Sequence, residues 1–147
     1  MVRSSSTLSE VWVRQPSGIA MSVIYSDEHL MQLQVRASNH AFAAEVETYV
    51  NHDACADVAH QMNGFPSKPD DFRQIELGGK IKLYLGTIDS VGHSIVTVDM
   101  QGDVPEQNGV TPRAMFNILV NPAHIDEFVS ELSQLTPDVG SSAFLIT

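Results

Sequence analysis

The fold is decided by two stretches of sequence, Val50–Cys55 (VNHDAC) and Val120–Ile125 (VNPAHI), which begin 70 residues apart. In both, alternating apolar residues lead up to an asparagine, and apolar residues at helical spacing follow it. The matched apolar pairs are Cys55 with Ile125, Val58 with Phe128, Ala59 with Val129, and Met62 with Leu132. Each stretch therefore marks a strand that turns into a helix. The agreement predicts an internal duplication, with pseudo-repeats at roughly 29–66 and 80–136.

The rest of the chain is rich in segments that predict strands. Strict alternation of apolar and polar side chains, as in 29–37, is typical of a strand with one buried face. Strands are predicted near Trp12 and Val13 and at 19–25, 29–37, 41–49, 73–77, 81–88, 94–101, 113–120 and 143–146. Runs of strands precede each helix, which argues against alternating parallel units.

Both helices have start and stop signals. Asn51 and Asn121 are the predicted N-caps, and Pro122 occupies the favoured first helical position. Gly64 and Gly140 follow the predicted helix ends. The predicted fold class is therefore α+β: a twisted, mainly antiparallel β-sheet with two helices packed on one face. Residues 1–9 are predicted to form a disordered tail, and 10–147 a single domain.

The composition is that of a globular protein. The 147 residues are 43% hydrophobic and 18% charged, and no apolar run approaches the ~20 residues that span a bilayer. The first residues lack the apolar centre of a secretory signal. Cys55 is the only cysteine, which excludes an internal disulfide and fits a reducing compartment. The predicted location is the cytoplasm.

The net charge of −10 is unevenly distributed. Residues 1–82 carry ten acidic and seven basic side chains, whereas 83–147 carry eight acidic side chains and Arg113 alone. Negative charge repels phosphate groups, so neither a nucleic acid nor a membrane surface is an expected partner. A basic protein would be attracted. The alternative interpretation is that the charge only keeps the protein soluble.

No group of residues predicts catalysis, a metal site or a cofactor. The six histidines are dispersed, and His52 and His60 lie about 12 Å apart along the first helix, too far to share an ion. Cys55 falls on the apolar stripe of that helix, which favours a buried, inert thiol over a nucleophile. The adjacent Asp70 and Asp71 occupy a polar loop, where nothing predicts the burial that catalytic carboxylates need.

Two acidic surfaces are candidates for binding a protein partner. Glu45, Glu47 and Tyr49 project from the outward face of one strand, and an aromatic beside charge suits a protein contact. The second surface is the acidic face of the second helix, with Asp126, Glu127 and Glu131. A solvated face with no partner is the alternative for both.

The overall plan resembles that of small uncharacterised bacterial α+β proteins, some described as immunity proteins of polymorphic toxin systems. The resemblance is carried by the strand–helix passage 49–66, the strand at 92–98 and the closing segment 120–132. It implies a non-enzymatic inhibitor that binds a cognate toxin. No binding residue can be transferred from it, because it contains no diagnostic motif.

Three hypotheses follow from the sequence. The first is a non-enzymatic, acidic, cytosolic binding protein, immunity-like, that occludes a basic protein partner. The second is a small-ligand-binding domain or an enzyme of unknown reaction, with a pocket between sheet and helices lined by Tyr84, His93 or Arg113. The third is a homo-oligomer that pairs through an edge strand.

Overall fold

The computed structural model describes residues 17–91, 93–103 and 108–147. Its elements are β1 (Gly18–Ser26), β2 (Leu30–Ser38), β3 (Ala43–Asn51), α1 (Ala54–Met62), β4 (Phe72–Leu77), β5 (Ile81–Thr87), β6 (Ser94–Gln101), β7 (Arg113–Val120), α2 (Pro122–Gln134) and β8 (Ser142–Ile146). The predicted α+β class, with antiparallel strands and two helices, is confirmed. The predicted tail and the predicted strand at Trp12 and Val13 lie outside the described residues.

The strands form two antiparallel sheets of four rather than the single sheet that the sequence predicts. The strand order is β3-β2-β1-β8 in the first sheet and β4-β5-β6-β7 in the second. Helix α1 connects the end of the first sheet to the edge strand β4 of the second. Helix α2 connects the end of the second sheet to β8, which pairs with β1. The two connections are reciprocal, as a duplication would produce, but the duplication itself remains a prediction.

A single hydrophobic core joins both sheets and both helices. One side of every strand is buried in it, together with the apolar stripe of each helix. Met21, Leu33, Leu83 and Ile118 come from the sheets, and Phe128 from α2; each is at most 1% exposed. Full burial of a side chain of this size stabilises the fold by about 1.5–3 kcal/mol. The helices are short, so their burial rather than their intrinsic propensity stabilises them.

The two helices begin differently, although the sequence predicts an asparagine N-cap for both. At α2 the Asn121 side chain accepts the His124 N–H at 3.2 Å, and His124 Nδ1 accepts the Asn121 N–H at 3.1 Å. That reciprocal capping confirms the predicted N-cap. At α1 the N-cap is Asp53, without a side-chain cap, so the prediction of Asn51 was wrong. Asn51 ends β3 and accepts the Asp53 N–H in a turn before the helix.

An ionic cluster holds the end of α1 against β4. The Arg73 guanidinium donates to the carbonyl oxygens of Gln61 and Asn63 at 3.0 and 2.8 Å, and to Asp71 at 2.9 Å. Asp71 also accepts from the backbone and the hydroxyl of Ser67. The Arg73 hydrogen bond, followed by the Ser67 backbone N–H, lowers the pKa of Asp71 to about 2. Asp71 is therefore a buried structural carboxylate and not the solvated loop residue that the sequence predicts.

Three edge strands each have a backbone group that is hydrogen-bonded to a side chain from elsewhere in the chain. Lys80 Nζ donates to the Glu47 carbonyl oxygen on β3, and the Asn39 amide to the Asn117 carbonyl oxygen on β7. On β8 the Phe144 N–H donates to the Glu131 carboxylate at 3.1 Å. Partners of this kind occupy the backbone groups that edge-to-edge pairing would use. Self-association through an edge strand remains a prediction.

Candidate functional site

The predicted row on β3 lies on the outer face of the first sheet. Glu45, Glu47 and Tyr49 are exposed, and they alternate with Thr48 and Val50, which are buried. Tyr49 exposes 56% of its surface. The alternation therefore places all three side chains on the side of the sheet away from the core, as the sequence predicts.

A second tyrosine joins this row because of a β-bulge. Tyr25 pairs with Gln32, which in turn pairs with Tyr49, so the three side chains cross β1, β2 and β3 in one line. The register of β1 shifts between Val23 and Tyr25. Without that shift Tyr25 would point inward with Val23, because a displacement of one residue reverses the face. Tyr25 is instead 47% exposed.

Acidic groups flank the two tyrosines. The Gln32 side chain donates to the Glu47 carboxylate at 3.2 Å, and the Tyr25 hydroxyl donates to Asp27 at 3.3 Å. The backbone N–H groups of Leu30 and His29 lower the pKa of Asp27, and the Asp27 charge raises the pKa of Tyr25. At neutral pH the Asp27 carboxylate is therefore charged and the Tyr25 phenol is neutral. We call Tyr25, Gln32, Glu45, Glu47 and Tyr49 the tyrosine face.

The negative charge of the tyrosine face is concentrated toward one end of its strands. Glu45 lies opposite a basic residue, Arg36, in the pairing of β3 with β2. Glu47 lies opposite Gln34, and Asp27 lies in the turn between β1 and β2. The end of the face that carries the two tyrosines is consequently its acidic end.

The second predicted surface, on α2, is separate from the first. Asp126 and Glu127 are exposed, whereas Glu131 is partly buried and accepts the Phe144 N–H. Helix α2 contacts β8, which is the edge of the first sheet opposite to β3. The structure therefore does not bring the two acidic sets together. Glu131 has a structural role that the sequence pattern does not indicate.

The residues of the predicted ligand pocket do not lie between the sheets and the helices. Tyr84 and Arg113 point outward from the second sheet, because they alternate with residues of the core. His93 lies in the turn between β5 and β6, with Nδ1 2.5 Å from an Asp89 carboxylate oxygen. The Asp89–His93 hydrogen bond lowers the pKa of Asp89.

An ion pair that the sequence does not predict lies on the outer face of the second sheet. Arg113 donates to both carboxylate oxygens of Asp99, at 2.9 and 2.7 Å. Asp99 is 5% exposed, and the geometry is the bidentate one that guanidinium and carboxylate favour. The pair forms because β6 and β7 are neighbouring strands, and it can be recognised only when the register between them is known.

Two further chemical candidates are the Cys55 thiol and a metal site. Cys55 is buried, as predicted, and burial raises its pKa to about 11, so the thiol is protonated at neutral pH. Within residues 17–91, 93–103 and 108–147, no three His, Cys, Asp or Glu side chains are grouped so that they could hold a metal ion.

No family model, no curated protein and no solved structure matches this chain. The resemblance to immunity proteins therefore remains a prediction. In the described part of the chain, neither helix has the length and apolar character needed to cross a membrane.

Proposed function

We propose that this protein is a non-enzymatic binding protein that uses the tyrosine face to bind a basic protein partner. The observation that carries the proposal is the line Tyr25–Gln32–Tyr49, two exposed phenol rings in register across three strands with Glu47 and Asp27 beside them. Tyrosine supplies a large contact area with little loss of side-chain entropy, which is why binding surfaces favour it.

The chemistry of this face suits arginine and lysine. A cation that sits over a tyrosine ring gains about 0.5–1 kcal/mol at an exposed site, and a carboxylate beside the ring adds a charge-assisted hydrogen bond. The protein's own Lys80 already binds at the β3 edge of this face, where its ammonium donates to the Glu47 carbonyl oxygen and to Asp103. On the outward side of the strand, basic side chains of a partner would meet the carboxylates of Glu45 and Glu47.

The acidic surface of α2 is the weaker candidate for the same function. Asp126 and Glu127 are exposed, but Glu131 is committed to the edge of β8. An acidic helix face with no aromatic side chain has charge for attracting a partner but little apolar area for holding it. We assign the α2 acids to electrostatic attraction and the tyrosine face to contact.

We extend the proposal to the biological role of the protein, which we infer to be that of an immunity-like inhibitor. A cytoplasmic, immunity-like inhibitor works by covering a site on its target, which requires a rigid surface and no reaction. A face built on three strands over a shared core meets that requirement. The net charge of −10 accelerates the encounter with a basic target.

The experiment is affinity capture from the source cell with charge-matched variants. The Glu45→Gln/Glu47→Gln protein and the Asp126→Asn/Glu127→Gln protein lose the same charge at different places. The tyrosine-face variant, and Tyr49→Ser, are expected to lose a basic partner that the wild type and the α2 variant retain at low salt. Capture should weaken as salt screens the charges. Equal loss from both double variants, or a partner that is not basic, contradicts the proposal.

A further inference from the structure

The outer face of the second sheet carries a row of apolar positions that crosses all four strands. Phe72 pairs with Gly86, Gly86 with Ile95, and Ile95 with Leu119. Phe72 and Leu119, at the two ends, are 64% and 67% exposed. The Phe72 ring stacks on Tyr84 in the neighbouring row, with ring centroids 6.3 Å apart. We call Phe72, Gly86, Ile95 and Leu119 the apolar row.

The charges around the apolar row cancel one another. Among the residues that the structure describes, the charged ones on this face are Glu76, Lys82, Asp99 and Arg113, two acids and two bases. Lys82 lies 3.7 Å from Glu76, and Arg113 is bonded to Asp99. The whole chain has a net charge of −10. This face is therefore neutral on a strongly acidic protein.

The neutral charge and the apolar area of this face determine which kind of partner it suits. Met115, 57% exposed on the same face, enlarges the apolar area, and exposed apolar area of this kind marks contact sites. A basic protein would prefer the acidic surfaces elsewhere on the molecule. A second copy of this chain would be repelled by those surfaces and would approach most easily where the charge is zero.

We propose that the outer face of the second sheet is a homodimer interface in which two copies stack sheet on sheet. The two-fold axis runs parallel to the strands, between β5 and β6. It places β4 of one copy over β7 of the other, so each row of residues faces the same row of the second copy. Phe72 then packs on the partner's Leu119, and Ile95 packs over the partner's Gly86, where the absent side chain leaves space beside Phe72. The next row sets Tyr84 against the partner's Thr97.

The size of the face sets the strength of the dimer. Four strands about 4.8 Å apart and about six residues long present a footprint of roughly 400 Å². Standard specific interfaces bury about 800 Å² on each partner. The dimer is therefore reversible, and its population rises with chain concentration.

The test is sedimentation equilibrium of the full chain over a range of about 10 μM to about 1 mM. The wild-type mass is expected to rise toward two chains, and more readily at high salt, because screening reduces repulsion between two acidic copies. This salt dependence is opposite to that of the proposed binding of a basic partner, so the two proposals fail separately. Leu119→Lys and Phe72→Lys are expected to remain monomeric.

A matched control is Val139→Lys, at a 68% exposed apolar residue in the turn before β8, which should dimerise like the wild type. Far-ultraviolet circular dichroism and the melting temperature show that each variant is folded. A wild type that stays monomeric throughout, or a dimer that survives both Leu119→Lys and Phe72→Lys, overturns the proposal. So does a monomer in which Leu119→Lys abolishes binding to a different protein or to lipid vesicles, because the face would then belong to that occupant.

Discussion

The Thr48 hydroxyl donates a hydrogen bond to the Gly78 carbonyl oxygen at 3.0 Å, which ties the edge strand of the first sheet to the β4–β5 turn of the second. Gly78 has φ +64°, and a Cβ placed on it would lie 2.2 Å from Thr48 Oγ1. Only glycine allows both the turn and this close approach. The contact is one of the points at which the two sheets are fixed relative to each other.

Gly78→Ala should destabilise the protein by about 2–4 kcal/mol, since it combines left-handed strain with a steric clash and the loss of a buried hydrogen bond. The matched control is Gly79→Ala. Gly79 also has a positive φ, +74°, but nothing lies within 4 Å of its Cβ position, so about 1 kcal/mol is expected. Urea unfolding measures both. Equal losses would contradict the role of the Thr48 contact.

The two asparagines before the helices should respond differently to alanine. Asn121→Ala removes a reciprocal cap and should reduce the free energy of unfolding by about 1 kcal/mol. Asn51→Ala removes only a turn hydrogen bond to the Asp53 N–H and should reduce it by less. Thermal unfolding of the two variants makes the comparison. A larger effect at Asn51 would mean that it caps α1 after all.

The order and type of the elements could be predicted from the sequence because each depends on local patterns. Alternation located the strand that became β2, and Pro122 located the start of α2. The division into two sheets could not be predicted, because periodicity shows which face is buried but not which strand is the neighbour. The pairing of β8 with β1 joins residues 120 to 128 positions apart, and nothing local to Ala143 indicates it.

Asp71→Asn should destabilise the protein by about 1–3 kcal/mol at pH 7, because the Arg73 guanidinium then loses its buried charged acceptor. The folded pKa of Asp71, about 2, lies below the ordinary value of about 3.9. Its stabilisation is therefore fully present above about pH 4 and is lost as the pH falls toward 2.

The measurement for this carboxylate is urea unfolding at several pH values between 7 and 2. The difference between wild type and Asp71→Asn should narrow as the pH decreases through that window. Asp70→Asn, at the exposed neighbouring acid, is the control and should change little at any pH. A difference that stays constant with pH would show that Asp71 does not act through its charge.

The Cys55 thiol should be unreactive in the folded protein. Burial raises its pKa to about 11, and a thiol reagent needs both access and thiolate. Labelling with a chromogenic disulfide reagent at pH 8 should therefore be slow, and should become fast and stoichiometric in denaturant. Rapid labelling of the native protein would place Cys55 at the surface.

Only part of the candidate site could be predicted from the sequence. Glu45, Glu47 and Tyr49 can be predicted from the sequence because they occupy alternate positions on one strand. Tyr25 cannot be predicted from the sequence, because its parity places it with the core residues Val23 and Met21, and only the bulge turns it outward. The Asp99–Arg113 pair cannot be predicted either, since it depends on the register between β6 and β7.

The most direct test of the proposed function is a heteronuclear NMR titration with a short arginine-rich peptide at low salt. We expect the shift changes to concentrate on β1, β2 and β3 around Tyr25, Gln32 and Tyr49. Tyr49→Ser should remove them, whereas Asp126→Asn/Glu127→Gln should not. Changes spread evenly over all acidic surfaces, α2 included, would contradict the assignment of binding to the tyrosine face, because net charge alone would then explain the binding.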